Sequence, residues 1–93
     1  KFNGPWIEYY ESGQKKFETN YKDDYKFGLS THWYPNGQKE EEGYYDNCRE
    51  TGKWTYWYEN GQIKEEGNYE NAEKKGVWKE YSEDGKNVKE IKY

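Results

Sequence analysis

The sequence predicts an all-β protein in which four consecutive antiparallel β-hairpins form an elongated, twisted, open sheet. The first observation behind this prediction is an aromatic-rich run on each side of a glycine-containing turn, a pattern typical of a hairpin. The second is that this unit recurs every 24 residues without slippage, which indicates a repeat array. The glycines that open the four copies, and those at their middles, are Gly4, Gly28, Gly52 and Gly76, then Gly13, Gly37, Gly61 and Gly85.

The composition explains how such a chain can have a core. Charged residues make up 37% of the sequence and apolar aliphatic residues are few, a mixture that ordinarily indicates disorder. However, 5 Trp, 12 Tyr and 3 Phe are present, and each ring can bury roughly 150 to 250 Å². The resulting core is thin, so we expect neighbouring copies to share it and a single copy not to fold alone.

The repeat divides the chain into four units within one domain. These are residues 4–27, 28–51, 52–75 and 76–93 of a single domain covering 1–93. Since the chain begins at Lys1, three residues before the first repeat, and contains no Met, we expect a fragment of a longer protein. The cellular location is left open.

The second copy specifies the turn within each hairpin. Pro35 cannot donate a hydrogen bond, so it fits poorly at a paired strand position but well at the second position of a type I turn. The segment Tyr34-Pro35-Asn36-Gly37 therefore predicts a three-residue loop that ends in a left-handed Gly37. The equivalent residues of the other copies fit the same loop.

This loop predicts the register and hence the two faces of the sheet. In the third copy, Tyr58 is expected opposite Gln62, Trp57 opposite Ile63 and Trp54 opposite Glu66. The expected core face carries Tyr9, Trp33, Trp57 and Tyr81 with Tyr21, Tyr45, Tyr69 and Tyr93. The opposite face is expected to be aromatic and ionised, with Trp6, Trp54, Trp78, Tyr10, Tyr34, Tyr58, Glu18, Glu42, Glu66 and Glu90.

Polar connectors separate the hairpins. Residues 22–27, 46–51 and 70–75 are unlike one another and are interpreted as surface loops. The fourth copy departs most from the others, with Ser82 in place of the tyrosine before the turn, which is typical of a capping repeat.

Charge and cysteine content restrict the partners. The net charge is -4, which disfavours nucleic acid and anionic bilayers and favours a basic or neutral partner. The single Cys48 excludes an internal disulfide and a four-thiolate metal site, and no apolar run is long enough for a membrane span. The two strand edges, near Trp6 and Tyr93, are templates for edge-to-edge self-association.

No catalytic or cofactor site is predicted. The only histidine, His32, occupies a position that holds Glu or Tyr in the other copies, and Cys48 has no basic cluster near it to activate the thiol as a nucleophile. Adjacent glutamates on a strand point to opposite faces, so they do not converge for acid–base chemistry. The glycines lack the Lys and Ser/Thr of a phosphate-binding loop. We therefore expect a protein that is not an enzyme.

The third copy, GKWTYWYENGQIKEEGNY, and more loosely the first, GPWIEYYESGQKKFETNY, resemble the bacterial variant of the MORN repeat. The resemblance covers essentially the whole chain. It implies consecutive antiparallel hairpins and a binding or scaffolding role, and bacterial relatives often carry an antitoxin label. Ser30 departs from the pattern, because a tryptophan stands at this position in the other copies.

The predicted function is a protein-interaction module, which an antitoxin or immunity protein would exemplify. A basic protein is expected to lie across the ionised aromatic face, because Tyr and Trp anchor interfaces and acidic side chains complement a basic partner. A structural spacer in a longer surface protein is the alternative, and membrane association is a weaker one. The predicted contact residues are Trp54, Tyr56, Tyr58, Glu42, Glu66, Tyr10 and Tyr34.

Overall fold

Eight antiparallel strands form one sheet in the computed structural model, which describes all residues 1–93. Neighbours in the sheet are neighbours in sequence, and β1 and β8 are its two edges, so the sheet is open. Its extents are 44 × 34 × 10 Å, a single layer. The predicted all-β array of four hairpins in an open sheet is confirmed. The strands are β1 (Gly4–Tyr9), β2 (Lys15–Lys22), β3 (Tyr25–Trp33), β4 (Lys39–Asp46), β5 (Arg49–Trp57), β6 (Ile63–Glu70), β7 (Glu73–Tyr81) and β8 (Val88–Lys92).

The predicted turn within the hairpins is also confirmed. The Gly37 N–H donates to the Tyr34 carbonyl at 2.9 Å, the bond that closes a type I turn, and Gly37 has a φ of 91°. The Tyr34 N–H then donates to the Gln38 carbonyl at 2.8 Å, which closes the three-residue loop. In the fourth hairpin the Ser82 N–H reaches Asn87 instead, so that loop is one residue longer.

A β-bulge beyond the turn overturns the predicted register. Trp57 pairs with Ile63 as expected, but Tyr56 pairs with Glu65, so Lys64 is an extra residue on its strand. Trp54 consequently lies opposite Gly67 and not opposite Glu66. The first and second hairpins shift at the same place.

The bulge exchanges half of each predicted face, because one extra residue turns every later side chain to the other side. The Trp54 face carries Trp6, Trp54 and Trp78 together with Tyr21, Tyr45, Tyr69 and Tyr93. The Trp57 face carries Tyr9, Trp33, Trp57 and Tyr81 together with Glu18, Glu42, Glu66 and Glu90. The predicted partition is therefore wrong: the tyrosines that end each repeat belong with Trp54, and the recurring glutamates belong with Trp57.

The core is one row of residues on the Trp54 face. Trp54 is 2% exposed and Trp78 is fully buried, whereas Trp57 is only partly buried. The expectation that Trp57 marks the core face is thus wrong. Of the seven buried residues, only Thr31 lies on the other face. The core row consists of Thr19, Ser30, Gly43, Trp54, Gly67 and Trp78.

Glycine and tryptophan interlock along this row. The Trp54 indole lies over Gly43 of the preceding hairpin, where a Cβ atom would collide with the ring, and its Nε1–H donates to the Tyr44 carbonyl at 3.0 Å. Trp78 lies over Gly67 in the same way, and its Nε1–H donates to the Asn68 carbonyl at 3.0 Å. Each tryptophan therefore buries its ring against the previous repeat.

The connectors between hairpins are tight turns, which corrects their interpretation as six-residue loops. The flanking strands continue until only two residues remain between them, at 23–24, 47–48 and 71–72. Both residues of each pair have positive φ, as in the mirror-image turns that match strand twist. The second N–H of each turn donates to a carbonyl 22 residues earlier, for example Ala72 to the Glu50 carbonyl at 3.0 Å. No helix that could cross a membrane is present.

Candidate functional site

A row of ionisable and aromatic side chains runs across the Trp54 face beside the core row, on the side of the hairpin turns. Continuous cross-strand pairing connects it over all eight strands. Its central part, here called the acidic row, is Glu41, Tyr56, Glu65 and Glu80. The flanking members are Glu8, Phe17 and His32 on one side and Lys89 on the other.

The acidic row contains a like-charge pair. Glu65 lies directly opposite Glu80, an arrangement that destabilises a sheet. Lys74 Nζ lies 3.1 Å from Glu65 Oε2, whereas Glu80 has Lys89 opposite it on β8 but no lysine within ion-pair distance. Both carboxylates line a shallow cleft of about 240 Å³. A cationic group from outside the chain would find an incompletely neutralised site here.

The other members of the acidic row are partly withdrawn from water. Burial raises the pKa of Glu41, and the neighbouring His32 opposes that rise. The Tyr56 hydroxyl lies 3.1 Å from the Tyr69 hydroxyl, and burial together with this hydrogen bond raises the Tyr56 pKa. Burial likewise raises the pKa of Tyr45 to about 12. These phenols remain neutral hydrogen-bonding groups at physiological pH.

On the Trp57 face, by contrast, three of the recurring glutamates have partners within the chain. Lys39 Nζ lies 3.1 Å from Glu42 and 5.7 Å from the centre of the Trp57 ring. Glu66 is 3.4 Å from Lys53 and accepts a 2.7 Å hydrogen bond from the Tyr81 hydroxyl. This hydrogen bond, followed by the lysine, lowers the Glu66 pKa. Glu18 is similarly paired with Lys15 at 2.9 Å.

The structure separates the residues of the predicted contact surface. Trp54 and Tyr56 share a face, and their rings stack at 6.1 Å, but Trp54 is too buried to meet a partner. Glu42 and Glu66 lie on the opposite face, which contradicts their expected place beside Trp54. The bulge at Lys64 and its equivalents is the cause.

The three tyrosines before the turns hold neighbouring repeats together. The Tyr58 hydroxyl donates to the Tyr81 carbonyl at 2.7 Å. Tyr10 and Tyr34 make the same bond, at the same distance, to the carbonyls of Trp33 and Trp57. Each hydroxyl is therefore used inside the array, and only the partly exposed ring remains for contact.

Sequence reasoning missed Glu41, Glu65 and Glu80 as neighbours of the aromatic rings. The glycines Gly43 and Gly67 could have identified Glu41 and Glu65 from the sequence. Gly43 and Gly67 leave room for a ring, so placing a tryptophan against each glycine would have given the true register. Each of these glutamates lies two residues before its glycine and therefore on the same face.

His32 and Cys48 each make a contact with another residue of the chain. The His32 ring stacks on Phe17 with 5.2 Å between ring centres. Cys48 is exposed in a turn, where its Sγ accepts the Lys26 N–H at 3.2 Å. No group of three or more His, Cys, Asp or Glu side chains is arranged to hold a metal ion.

The fold defines an all-β repeat protein built from four consecutive hairpins. Four segments, residues 2–23, 28–47, 50–71 and 74–93, match the family described as MORN repeat variant. The chain belongs to that family, whose repeats are binding modules, commonly for proteins or membranes, and not enzymes. No curated protein sequence and no solved structure shows significant similarity to the chain.

Proposed function

We propose that this chain is a protein-interaction module that binds a basic protein across the Trp54 face, with the acidic row as the charged part of the contact. The observation that supports this most is the Glu65–Glu80 pair, in which two carboxylates face each other and only Glu65 has a lysine within ion-pair distance, while Lys89 is the cross-strand neighbour of Glu80. A basic group placed between them would relieve the repulsion. A chain selected for stability alone gains nothing from this pair.

The comparison between the two faces strengthens the proposal. Three of the four recurring glutamates of the Trp57 face, Glu18, Glu42 and Glu66, are paired with lysines or a tyrosine hydroxyl, so they stabilise the array. The acidic row instead combines carboxylates with the partly exposed ring of Tyr56. An arginine or lysine can stack on such a ring while it pairs with a neighbouring carboxylate.

An antitoxin or immunity protein would be a special case of this function, since such a protein binds and blocks one partner. The structural spacer is the competing hypothesis and requires no partner. Membrane binding is less favoured, because a net charge of -4 is repelled by an anionic bilayer.

Affinity capture from the native organism with matched baits tests the proposal. The test bait carries Glu41→Gln, Glu65→Gln and Glu80→Gln. The control bait carries Glu59→Gln, Glu73→Gln and Glu83→Gln, which removes equal charge from exposed positions outside the acidic row. We expect a basic protein to be retained by the wild-type and control baits and to be lost with the test bait.

The outcomes separate the hypotheses. Retention should weaken as salt is added, because exposed charges are screened within about 8 Å at physiological ionic strength. Equal retention by all three baits would contradict the assignment to the acidic row. Retention of a toxin would support the antitoxin role. If no protein is retained and the chain instead sediments with vesicles of phosphatidylserine and phosphatidylcholine, membrane binding replaces the proposal.

A further inference from the structure

Four large apolar side chains lie exposed together on the Trp57 face, on the side of the connectors. Leu29 and Tyr44 pair across β3 and β4, beside the core row, and therefore point away from it. Lys22 pairs with Tyr25, and its Nζ lies 5.1 Å from the centre of the Phe27 ring, so these two rings share the same face. The side chains are 40% to 55% exposed. This β3–β4 patch consists of Tyr25, Phe27, Leu29 and Tyr44.

The fold does not require apolar residues at these positions. The third hairpin, β5 and β6, has the same strand lengths and the same pairing as the second. It nevertheless holds Arg49, Thr51, Lys53 and Asn68 at the equivalent places. In the first and fourth hairpins only Pro5 and Val77 are apolar there. An exposed apolar patch that the architecture does not need marks an interaction surface.

Charged side chains of both signs adjoin the patch. Lys22, Asp23 and Asp46 line one cleft together with two rings of the patch, and Arg49 is the cross-strand partner of Asp46. All four are exposed, and none is in an ion pair within the chain. A partner of one sign would be repelled by half of this rim. A second copy related by a two-fold axis offers both signs, so the rim is complementary to itself.

The shape of the surface also suits a second copy. A cleft of about 260 Å³ lies beside the patch, with Leu29 and Tyr44 on one side and Thr55 and Trp57 on the other. A two-fold contact uses the same surface of both partners, so projecting side chains and a recess must lie next to each other. The patch and this cleft meet that requirement, because each copy can place a side chain into the recess of the other.

The single layer leaves enough surface for such a contact. The chain exposes 6384 Å², whereas a compact monomer of its mass, 11.4 kDa, exposes about 5800 Å². The patch itself exposes on the order of 350 Å². A stable interface buries about 800 Å² on each partner. The face of a sheet that measures 44 × 34 Å can supply the remainder from the rim around the patch.

We propose that two copies of the chain stack face to face through their β3–β4 patches, related by a two-fold axis. The two sheets then lie about 10 Å apart, as in a β-sandwich, with the apolar side chains between them and the rim charges around them. The Trp54 face of each copy stays on the outside. The pairing therefore does not depend on the function proposed for the acidic row, and variants of the acidic row should still pair.

Matched double variants test whether the patch makes the contact. Phe27→Thr/Tyr44→Asn introduces the residues that the third hairpin holds, so the sheet should keep its fold. Phe2→Thr/Tyr93→Asn is the control and makes the same changes at exposed rings of the Trp54 face. Sedimentation velocity should show a dimer for wild type and control, and a dimer Kd at least about a hundredfold larger for the patch variant. A wild type that stays monomeric at millimolar concentration, or equal dimerisation of the two variants, would overturn the proposal.

Reversed rim charges test whether the partner is a second copy. Lys22→Glu/Arg49→Glu makes the rim acidic, and Asp23→Asn/Asp46→Lys makes it basic. Each variant alone should dimerise about tenfold more weakly or worse, because like charges then face each other. An equimolar mixture of the two should regain the wild-type Kd. A mixture that associates no more tightly than either variant alone would contradict the proposal, and this test decides the matter if the patch variant does not fold.

Discussion

The hydroxyl oxygens of Thr19 and Ser30 lie 2.9 Å apart in the core row, at the two places that Gly43 and Trp54 occupy in the next repeat. Both side chains are buried, so this hydrogen bond satisfies two polar groups that could not reach water. The next repeat has a very small residue, Gly43, beside a very large one, Trp54, whereas here both residues are of small or intermediate size. The pair fills less space than Gly43 and Trp54 do, and a hydrogen bond takes the place of the contact between glycine and indole.

This pairing predicts strong coupling between Thr19→Gly and Ser30→Trp. Thr19→Gly alone leaves a buried hydroxyl unpaired, which costs about 1 to 3 kcal/mol. Ser30→Trp alone forces an indole against the Thr19 side chain, at about 1 to 3 kcal/mol. The double variant should recreate the inner-repeat arrangement and exceed either single variant in stability. Urea denaturation of all four chains measures the coupling, and additive losses would contradict the pairing.

The burial of Trp54 predicts that the two central tryptophans differ in their contribution to stability. Trp54→Ala should cost about 3 to 5 kcal/mol, because it empties the middle of the core row. Trp57→Ala should cost about 1 to 2 kcal/mol, since Trp57 loses only a partly buried surface and a contact with one lysine. Thermal unfolding followed by circular dichroism compares the two. A greater loss for Trp57 would place the core on the other face.

Glu66 predicts a pH-dependent contribution to folding. The Tyr81 hydrogen bond and Lys53 lower its folded-state pKa. The stabilisation is therefore present above the pKa of the unfolded chain and is lost as pH falls through the folded-state pKa. Glu66→Gln should lower the free energy of unfolding at pH 7, and this difference should shrink in acid. A difference that is constant with pH would show that charge plays no part.

Glu41, on the Trp54 face, predicts a pH dependence of folding stability that is opposite in sign to that of Glu66. The two glutamates therefore form a matched comparison between the faces. Burial raises the folded-state pKa of Glu41, so its ionisation opposes folding as pH rises above the unfolded pKa. Glu41→Gln should increase the free energy of unfolding at pH 7 and have little effect in strong acid. Urea titrations at several pH values check this. A loss of stability at pH 7 would show that the carboxylate makes favourable contacts that outweigh its burial.

The turn at Ala72 predicts a stabilising substitution. Ala72 has a φ of 67°, a left-handed conformation that disfavours side chains but suits glycine. Ala72→Gly should stabilise the chain by about 0.5 to 1 kcal/mol, after allowing for the extra flexibility that glycine gives the unfolded chain. Gly52→Ala, at a φ of 68° in open space, is the control and should destabilise it. Chemical denaturation that finds the reverse order would contradict the backbone argument.

The repeat and the turns could be predicted because they depend on local chemistry. The 24-residue spacing and the properties of Pro35 and Gly37 are visible in the sequence, and the structure has both. The bulge at Lys64 could not be predicted in this way, because the residues there are Lys, Glu and Lys in the first three hairpins and carry no common local signal. It accompanies the packing of Trp78 over Gly67, a contact between different repeats that requires Gly67 to lie on the Trp54 face. The predicted contact residues are divided between the two faces for the same reason: Glu42 and Glu66 each lie one position away from Glu41 and Glu65, which share the face with Tyr56.

The single layer, 10 Å thick, has a consequence for how such arrays scale with length. In a globular domain the interior grows faster than the exterior, so longer chains conceal a larger fraction of their side chains. Here the core is a line, and each further hairpin of this kind would lengthen the line and both outer faces by the same amount. Stability per repeat and contact area per repeat therefore stay in constant proportion. A longer array would not hide its rings any better than this one, and the surface offered to other molecules increases linearly with the number of hairpins.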